Sequence, residues 1–455
     1  MFIKLLENFL KNSIIPRMLS SNMLATAAAE LTIPPLLILP FILLLLSIAI
    51  IPLISPGWWG KFYSYVSVGL GAITLCYYLF VFKAPTPILH VLHEYVSFIA
   101  LIGSLFVVSG GIHISTRGQA LPWMNCVFLL IGSILSNIVG TTGASMLLIR
   151  PWIRMNKRRI SGFHIIFFIF IISNISGALT PIGDPPLFLG FLRGVSFWWT
   201  LEQCWLGWLI AILLVMAIFF VLDMRSYRKL PAEFHVPPGP DEKIKVSGLF
   251  NLIFLVIILV AVFQPSPYRE ILMILSAAGS YFITAKKAQK IYHDNEFNFH
   301  PIKEVAWLFI GIFLTMTPAL AYLGSHAASF GIDTPAKFFW ATGALSGFLD
   351  NAPTYLTFLA TAMGLEGLDV SVKANVVEFM KNCPALLKAI SMGAVFFGAM
   401  TYIGNGPNFM VKSIADQAHI KTPTFFGYLF KYSIPVLLPV FVVITILFFS
   451  KWAIF

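Results

Sequence analysis

Long runs of apolar residues recur along the whole chain and restrict the folds that it can adopt. We find about ten runs close to the roughly 20 residues that a membrane-spanning helix requires. They cover residues 34–54, 62–82, 91–114, 162–192, 205–223, 248–264, 269–285, 304–328, 386–415 and 429–450. Because 58% of the chain is hydrophobic and only 11% is charged, the sequence predicts an all-α polytopic membrane protein.

The net charge of +11 is better explained by membrane topology than by nucleic-acid binding. Lys and Arg gather in the cytoplasmic loops of membrane proteins, and no aromatic–basic motif of a nucleic-acid-binding domain accompanies the charge. Basic residues cluster at 150–159, 225–246 and 286–290, and counting the spans places all three loops on the cytoplasmic side. We therefore predict a multi-pass protein of the plasma membrane (the inner membrane in a bacterium), with membrane lipid and no nucleic acid as a partner.

Residues 1–30 differ from the rest of the chain. The segment MFIKLLENFLKNSIIPRM combines lysines with a modest apolar stretch, and LATAAAE follows with an Ala-x-Ala pattern at 27–29. Two interpretations stay open: a signal peptide that is cleaved, or an amphipathic helix on the membrane surface. Counting the spans backward places residue 30 outside, which agrees with cleavage.

Two further apolar stretches, 120–149 and 335–362, are interrupted in the middle. Their centres read SNIVGTT (136–142) and DNAPTYLT (350–357). Irregular backbone at membrane depth is tolerated only where protein or water satisfies its polar groups. Two half-length helices around such a centre therefore predict re-entrant hairpins, which return to the side from which they came. The charge pattern predicts that the first hairpin starts from the cytoplasm and the second from the outside.

The segments ALTPIGDPPLF (178–188) and AMTYIGNGPNF (399–409) share six of eleven positions. Each interrupts a long apolar run, and we predict that both runs, 162–192 and 386–415, are broken spanning helices. Proline prevents a helix from continuing, and glycine permits backbone angles that other residues resist.

The order of a hairpin followed by a broken helix occurs twice and predicts an internal repeat. The first repeat covers 31–224 and the second 248–455, and a cytoplasmic linker, 225–247, joins them. Since the two hairpins are predicted to start from opposite sides, the repeats are inverted. Transporters place substrate and coupling ion at such a repeat interface, between discontinuous helices.

Two acidic residues lie within these interrupted segments. Asp184 is in the first break, and Asp350 is at the tip of the second hairpin. A charged residue at the centre of a spanning helix costs roughly 2.5–3.5 kcal/mol, so a role in cation or proton binding is the first interpretation. The alternative is that each aspartate caps the half-helix that follows it. By contrast, we predict that Glu94 and Asp223 are surface residues near helix ends.

A broken helix leaves backbone C=O groups without partners, and hard cations prefer oxygen ligands. The predicted site is therefore for Na⁺ as substrate or coupling ion at Asp184 and Asp350, with no other metal and no cofactor. Aligning the hairpin centres matches Asn137 with Asn351 and Ser136 with Asp350. The further candidate residues are Ser136, Asn137, Thr141, Thr180, Gly183, Asn351, Thr401 and Asn405.

The motifs SNIVGTT, TPIGDPP, LDNAPTYLT and TYIGNGPN, in this order, resemble the ion transporter superfamily, in particular NhaD-type sodium/proton antiporters and the related citrate-transporter-like group. The resemblance covers residues 34–450. It implies inverted repeats, and a homodimer in which a transport domain moves as an elevator against a scaffold. Gly183-Asp184 and Asp350-Asn351 match the NhaD-type pattern, whereas Ser136 stands where that pattern has Asp.

The leading functional hypothesis is a secondary antiporter that exchanges Na⁺ or Li⁺ for H⁺. Asp184 and Asp350 would bind the cation and the proton in competition. The resemblance leaves two alternatives open, a sodium-coupled citrate or dicarboxylate transporter and an arsenite-type efflux carrier. Ser136-Asn137 favours the first of these, because anion-transporting relatives carry Ser-Asn-Thr motifs at both hairpin tips. The absence of HExxH and GxSxG motifs argues against an enzyme.

Overall fold

The structure is a computed structural model that describes residues 33–115, 121–231, 245–450 and 453. The predicted signal peptide or surface helix at 1–30 lies outside the described residues, as does most of the linker 225–247. The described part is almost entirely α-helical, and a short ribbon of strands β1 (His113–Ser115) and β2 (Lys245–Ser247) is its sole sheet.

Helices of the first half precede the ribbon strand β2, and helices of the second half follow it. The first half contains α1 (Pro35–Ile54), α2 (Pro56–Val81), α3 (Pro85–Gly110), α4 (Pro122–Met155), α5 (Gly162–Ile171), α6 (Pro185–Arg193) and α7 (Trp199–Arg228). The second half contains α8 (Asn251–Val262), α9 (Tyr268–Lys287), α10 (Gln289–Asp294), α11 (His300–Ser325), α12 (Pro335–Ser346), α13 (Asn351–Leu365), α14 (Lys373–Asn382), α15 (Pro384–Phe397), α16 (Gly406–Gln417) and α17 (Phe425–Phe448).

The predicted polytopic membrane fold is confirmed. Within the described ranges, eight helices are long and apolar enough to cross a membrane, or up to nine if the bent pair α14 and α15 is one span. The predicted spans 248–264 and 269–285 form α8 and α9, which are not among the eight. Helix α8 has only 12 residues, and α9 carries charged residues at both of its ends.

Helix α4 is long enough to count as one span, yet its chain reverses at Gly140. The backbone of Gly140 is non-helical, with φ 77° and ψ 155°. The rings of Phe128 and Trp152, which lie on either side of the reversal, are 5.5 Å apart. Farther out, the side-chain amides of Asn125 and Asn156 donate to each other at 2.8 and 3.0 Å. The two arms of α4 are therefore antiparallel, and their placement on one side of the bilayer stays a prediction.

Replacing Gly140 with Ala should destabilise the protein. Backbone angles of this kind are nearly restricted to glycine and cost other residues about 1–3 kcal/mol. An added Cβ would also lie 3.2 Å from the carbonyl oxygen of Ile182. We expect Gly140→Ala to lower the thermal unfolding midpoint in detergent. The control is Gly69→Ala in α2, where nothing lies within 4 Å of the new Cβ and alanine favours the helix. Equal midpoints for the two variants would contradict the account.

The second hairpin is built like the first, and the two broken helices are built like each other. Helices α12 and α13 are antiparallel, and the rings of Phe338 and Phe358 contact each other with centroids 6.4 Å apart. Short 3₁₀ turns, Ile175–Leu179 and Gly398–Met400, follow α5 and α15, and the chain is irregular before α6 and α16 begin. The same order of parts thus recurs in both halves, whereas their opposite orientation in the bilayer stays a prediction.

The described parts of the three basic loops lie near one another. Strand β1, which follows α3, pairs antiparallel with β2 at the end of the 225–247 linker. Arg150, at the end of the first hairpin, donates to Glu296 at 2.8 Å, just after the loop that holds Lys286 and Lys287. This clustering agrees with a single cytoplasmic side for the three loops.

The prediction that Asp223 is a surface residue is wrong. Its side chain is fully buried and forms an ion pair with Arg159. It also accepts hydrogen bonds from His164 at 3.0 Å and from Asn125 at 2.8 Å. The cause is that α7 packs against α4 and α5. Asn125 lies near the start of α4, His164 near the start of α5, and Arg159 in the loop between these two helices. We call Asp223, Arg159, His164 and Asn125 the α7 ion-pair cluster.

The surface prediction for Glu94 is also wrong. Glu94 is 4% exposed, and its Oε2 accepts a hydrogen bond from Nη2 of Arg193 at 2.8 Å. Helix α3 lies between α6 and α11, so its residue 94 faces the interior, where the arginine at the end of α6 provides a counter-charge.

Candidate functional site

The carboxylate of Asp184 lies at a meeting point of both halves of the chain. Its side chain is 1% exposed. Its Oδ1 accepts from Thr141 Oγ1 at 2.7 Å and from Asn405 Nδ2 at 3.2 Å. Its Oδ2 accepts from Asn351 Nδ2 at 3.0 Å. These donors belong to the first hairpin, the second break and the second hairpin, so the structure brings four candidate residues into one cluster.

The prolines after Asp184 explain why its carboxylate faces these donors. Asp184 is the N-cap of α6, but its side chain makes no capping hydrogen bond. A capping aspartate normally bonds to a backbone N–H two or three residues on, and Pro186 has none at the first of these positions. The capping alternative is therefore wrong for Asp184. Gly183, just before it, fits closely because a Cβ there would clash with the carbonyl of Gly177.

Asp350 is in a different environment. It is half-buried at the N-cap of α13, and its Oδ1 accepts from the backbone N–H of Ala352 at 3.0 Å, so the capping alternative describes it correctly. The next residue, Asn351, bonds to Asp184, which makes the two acidic positions neighbours without a direct bond between their carboxylates. Asp350 also lines a cavity of about 40 Å³ together with Asn405 and residues of α3 and α11. A water molecule needs roughly 10–15 Å³ of such space, so this crevice has room for water or a small cation beside the cluster.

The two matching threonines hold each break against its hairpin. Thr180 Oγ1 donates to the carbonyl of Asn137 at 2.6 Å and accepts the backbone N–H three residues later at 3.1 Å. Thr401 Oγ1 donates to the carbonyl of Gly347 at 2.7 Å and accepts the equivalent N–H at 3.1 Å. The structure thus places both hydroxyls in supporting bonds rather than at the carboxylate of Asp184.

Serine contacts show how the two hairpins correspond. Ser136 and Ser346 each donate to a carbonyl of the broken helix in the same half, at 3.1 and 2.6 Å. Five residues beyond each serine lie Thr141 and Asn351, and both donate to Asp184. These two donors are therefore equivalent positions of the repeat.

The alignment of the two hairpin centres by their motif letters is therefore wrong by four residues. It paired Asn137 with Asn351 and Ser136 with Asp350. The contacts instead make Gly140 the counterpart of Asp350. The cause is that the polar letters SN precede the chain reversal at Gly140 in the first hairpin, whereas Asp350 lies at the end of the reversal between α12 and α13.

Asn137, a candidate site residue from the sequence, uses its side-chain amide in structural bonds. Its Nδ2 donates to the carbonyls of Ser133 and Ser176 at 3.0 and 2.7 Å. Its Oδ1 accepts from the backbone N–H of Leu179 at 3.0 Å. Its amide therefore ties the first hairpin to the first break, and the predicted ligand role is not supported by its contacts.

Two buried asparagines that the sequence reasoning missed join the breaks to each other. Asn174 Nδ2 donates to Asn408 Oδ1 at 2.7 Å, and Asn408 Nδ2 donates to the carbonyls of Gly398 and Thr401 at 2.8 and 2.9 Å. Asn405, besides bonding to Asp184, is 3.3 Å from Asn174 Oδ1. A polar residue inside an apolar run is a functional signal in membrane proteins, and Asn174 in IISNISG carries that signal.

A family model described as putative citrate transport matches residues 30–449. The chain belongs to this family. The citrate-transport family is of the ion-transporter type, so the resemblance is confirmed at this level and points to a transporter rather than an enzyme, whereas NhaD-type specificity stays a prediction. A search of curated proteins finds no match.

Proposed function

We propose that this multi-pass protein is a secondary transporter of the plasma membrane that exchanges Na⁺ or Li⁺ for H⁺, with Asp184 as the central binding group. The observation that carries the proposal is the surroundings of the Asp184 carboxylate, which is buried and bonded only to neutral side chains. In the part of the chain that the structure describes, no Lys, Arg or His forms an ion pair with it. A buried charge without a counter-ion is costly, so a bound cation or a proton would relieve that cost.

The side chains around Asp184 suit the binding of a monovalent cation. The carboxylate of Asp184 and the hydroxyl of Thr141 offer oxygen ligands of the kind that hard cations prefer. The amides of Asn351 and Asn405 face this carboxylate with their Nδ2 groups and hold it in place. Among the described residues, no group of three or more His, Cys, Asp or Glu side chains gathers in a metal-binding arrangement. A site with a single central carboxylate carries too little negative charge to favour a divalent ion, and protonation of that carboxylate would neutralise it and release Na⁺.

Asp350 would serve the same exchange from its crevice beside the cluster. It faces α3 and α11 across a small cavity, on the boundary between those helices and the hairpins and breaks. In the proposed elevator mechanism this boundary is where a transport domain slides against a scaffold. That mechanism and the homodimer are proposals that rest on the resemblance of the motifs.

Transport in everted membrane vesicles tests the proposal. A Na⁺ step should dissipate a preformed pH gradient in vesicles that contain the protein, and Asp350→Asn is expected to lose most of this response because the remaining amide cannot bind a proton. Asp333→Asn is the matched control, since Asp333 is an exposed carboxylate that pairs with the exposed Lys337. Unimpaired exchange in Asp350→Asn would remove Asp350 from the mechanism.

A sodium-coupled citrate or dicarboxylate transporter is the second candidate, and the family match favours it. In that case Na⁺ at Asp184 would neutralise the carboxylate before an anion could bind nearby. Currents on a solid-supported membrane in response to steps of Na⁺, Li⁺, K⁺ and citrate separate the two functions. Citrate-dependent current that requires Na⁺ supports the carboxylate transporter, whereas Na⁺ or Li⁺ current without citrate, opposed by protons, supports exchange.

A further inference from the structure

A larger cavity, of about 530 Å³, lies away from Asp184 at the end of the molecule where α3 begins and α6 ends. Much of its wall is apolar and includes Tyr78, Leu320 and Leu368. Its volume falls within the roughly 300–1,000 Å³ of sites that bind small organic molecules. None of the donors to Asp184 is among the residues that line it.

The polar part of this wall centres on Arg193. Arg193 is 5% exposed and lines the cavity beside His90. Its one hydrogen bond to a described residue runs from Nη2 to Glu94 Oε2, and its buried Nε has no partner. The guanidinium group has five N–H donors in a fixed fork, and an unmet buried donor is costly. Arg193 therefore has donor capacity left for an acceptor within the cavity.

We propose that this cavity binds an amphipathic organic anion, with its oxyanion on Arg193 and its apolar body against the walls formed by α2, α11 and the segment after α13. The fork of an arginine matches a carboxylate or phosphate geometrically, and His90 lies beside it. Glu94 competes for the same guanidinium, while Asp369 at the wall is held by Ser371 at 2.8 Å. A free carboxylic acid and an anionic lipid share this chemistry. The proposal does not depend on cation exchange at Asp184.

Opposite effects of two variants test the binding site. Arg193→Gln and Glu94→Gln both remove the Arg193–Glu94 ion pair. A purely structural role for the pair therefore predicts that both variants shift the half-saturating benzoate concentration in the same direction. Anion binding at Arg193 predicts shifts in opposite directions. In phosphatidylcholine nanodiscs, benzoate should raise the thermal unfolding midpoint of the full chain in a saturable way. The half-saturating benzoate concentration should rise at least roughly tenfold in Arg193→Gln, since a hydrogen bond to a charged group is lost, and should fall in Glu94→Gln.

Additional variants and lipid compositions identify the source of the anion and keep the test decisive if one variant does not fold. If Arg193→Gln does not fold, Arg193→Lys retains the charge without the fork and should weaken benzoate binding less severely. Phosphatidylglycerol in the nanodisc should weaken the benzoate response of the unmodified chain if a lipid head group is the occupant, and should leave it unchanged if a free acid is. Asp184→Asn should keep the benzoate response, because that carboxylate is outside the cavity. The proposal is overturned if neither benzoate nor phosphatidylglycerol changes the unfolding midpoint. It is also overturned if Arg193→Gln and Glu94→Gln shift the half-saturating benzoate concentration in the same direction.

Discussion

Asp184→Asn is expected to reduce Na⁺-driven proton exchange to the level of vesicles without the protein. The substitution keeps the size of the side chain and leaves Thr141, Asn351 and Asn405 in place. It removes the negative charge that a cation would neutralise and the atom that a proton would occupy. In the described part of the chain, no second carboxylate bonds to the same donors. The carboxylate of Asp350 is held by the backbone N–H of Ala352, so we do not expect it to replace Asp184. Exchange is measured as the recovery of a pH-gradient dye after a Na⁺ step.

The internal repeat offers a sharp control for this result. Asn405 is the counterpart of Asp184 in the second break, and its Nδ2 lies 3.2 Å from the Asp184 carboxylate. The double variant Asp184→Asn with Asn405→Asp moves the charge across the repeat interface but keeps it within the same cluster. We expect it to regain part of the exchange that the single variant loses, whereas Asn405→Asp alone should hinder exchange by placing two carboxylates together. Full exchange in Asp184→Asn would show that the transported ion binds elsewhere.

The two breaks were predictable because they violate the pattern of their surroundings. Proline, glycine and aspartate inside an apolar run are costly in lipid, so Asp184 was recognisable as a candidate from the letters alone. The pattern TxIGxxP, which occurs at 180–186 and again at 401–407, then related the two halves. These residues all lie within a short stretch of sequence, so they could be recognised without knowing the fold. The structure places that stretch where four candidate side chains meet.

Other features depend on distant partners and could not be inferred in the same way. Glu94 and Asp223 looked like surface residues because their counter-charges, Arg193 and Arg159, are far along the chain. The hairpin correspondence failed because letters alone do not show where a chain reverses. Gly140, whose φ of 77° permits the first reversal, is one glycine among many in apolar runs. Its backbone angles are not visible in the sequence.

Asp223→Asn is expected to have the largest effect on stability. Asp223 is the acidic member of the α7 ion-pair cluster, and the side chains of Asp223 and Arg159 are 0% and 1% exposed. Removing one partner of a buried ion pair takes away the attraction that offsets the desolvation of the other charge, and it typically costs about 3–5 kcal/mol of unfolding free energy. The cluster joins α7 to the base of the first hairpin and the start of α5, so we expect less folded protein in the membrane and a lower thermal unfolding midpoint in detergent.

A double variant separates the buried charge from the packing of the α7 ion-pair cluster. Arg159→Gln together with Asp223→Asn removes both charges of the pair. It should be more stable than Asp223→Asn alone because the desolvation cost of the Arg159 charge is removed as well. The control is Asp333→Asn, which breaks an exposed ion pair with Lys337 and should leave the midpoint unchanged because exposed pairs contribute little. If Asp223→Asn unfolds at the temperature of the unmodified chain, the ion pair is not what holds α7 against the hairpin, and the contacts of the apolar side chains around Trp152 and Phe219 must do so instead.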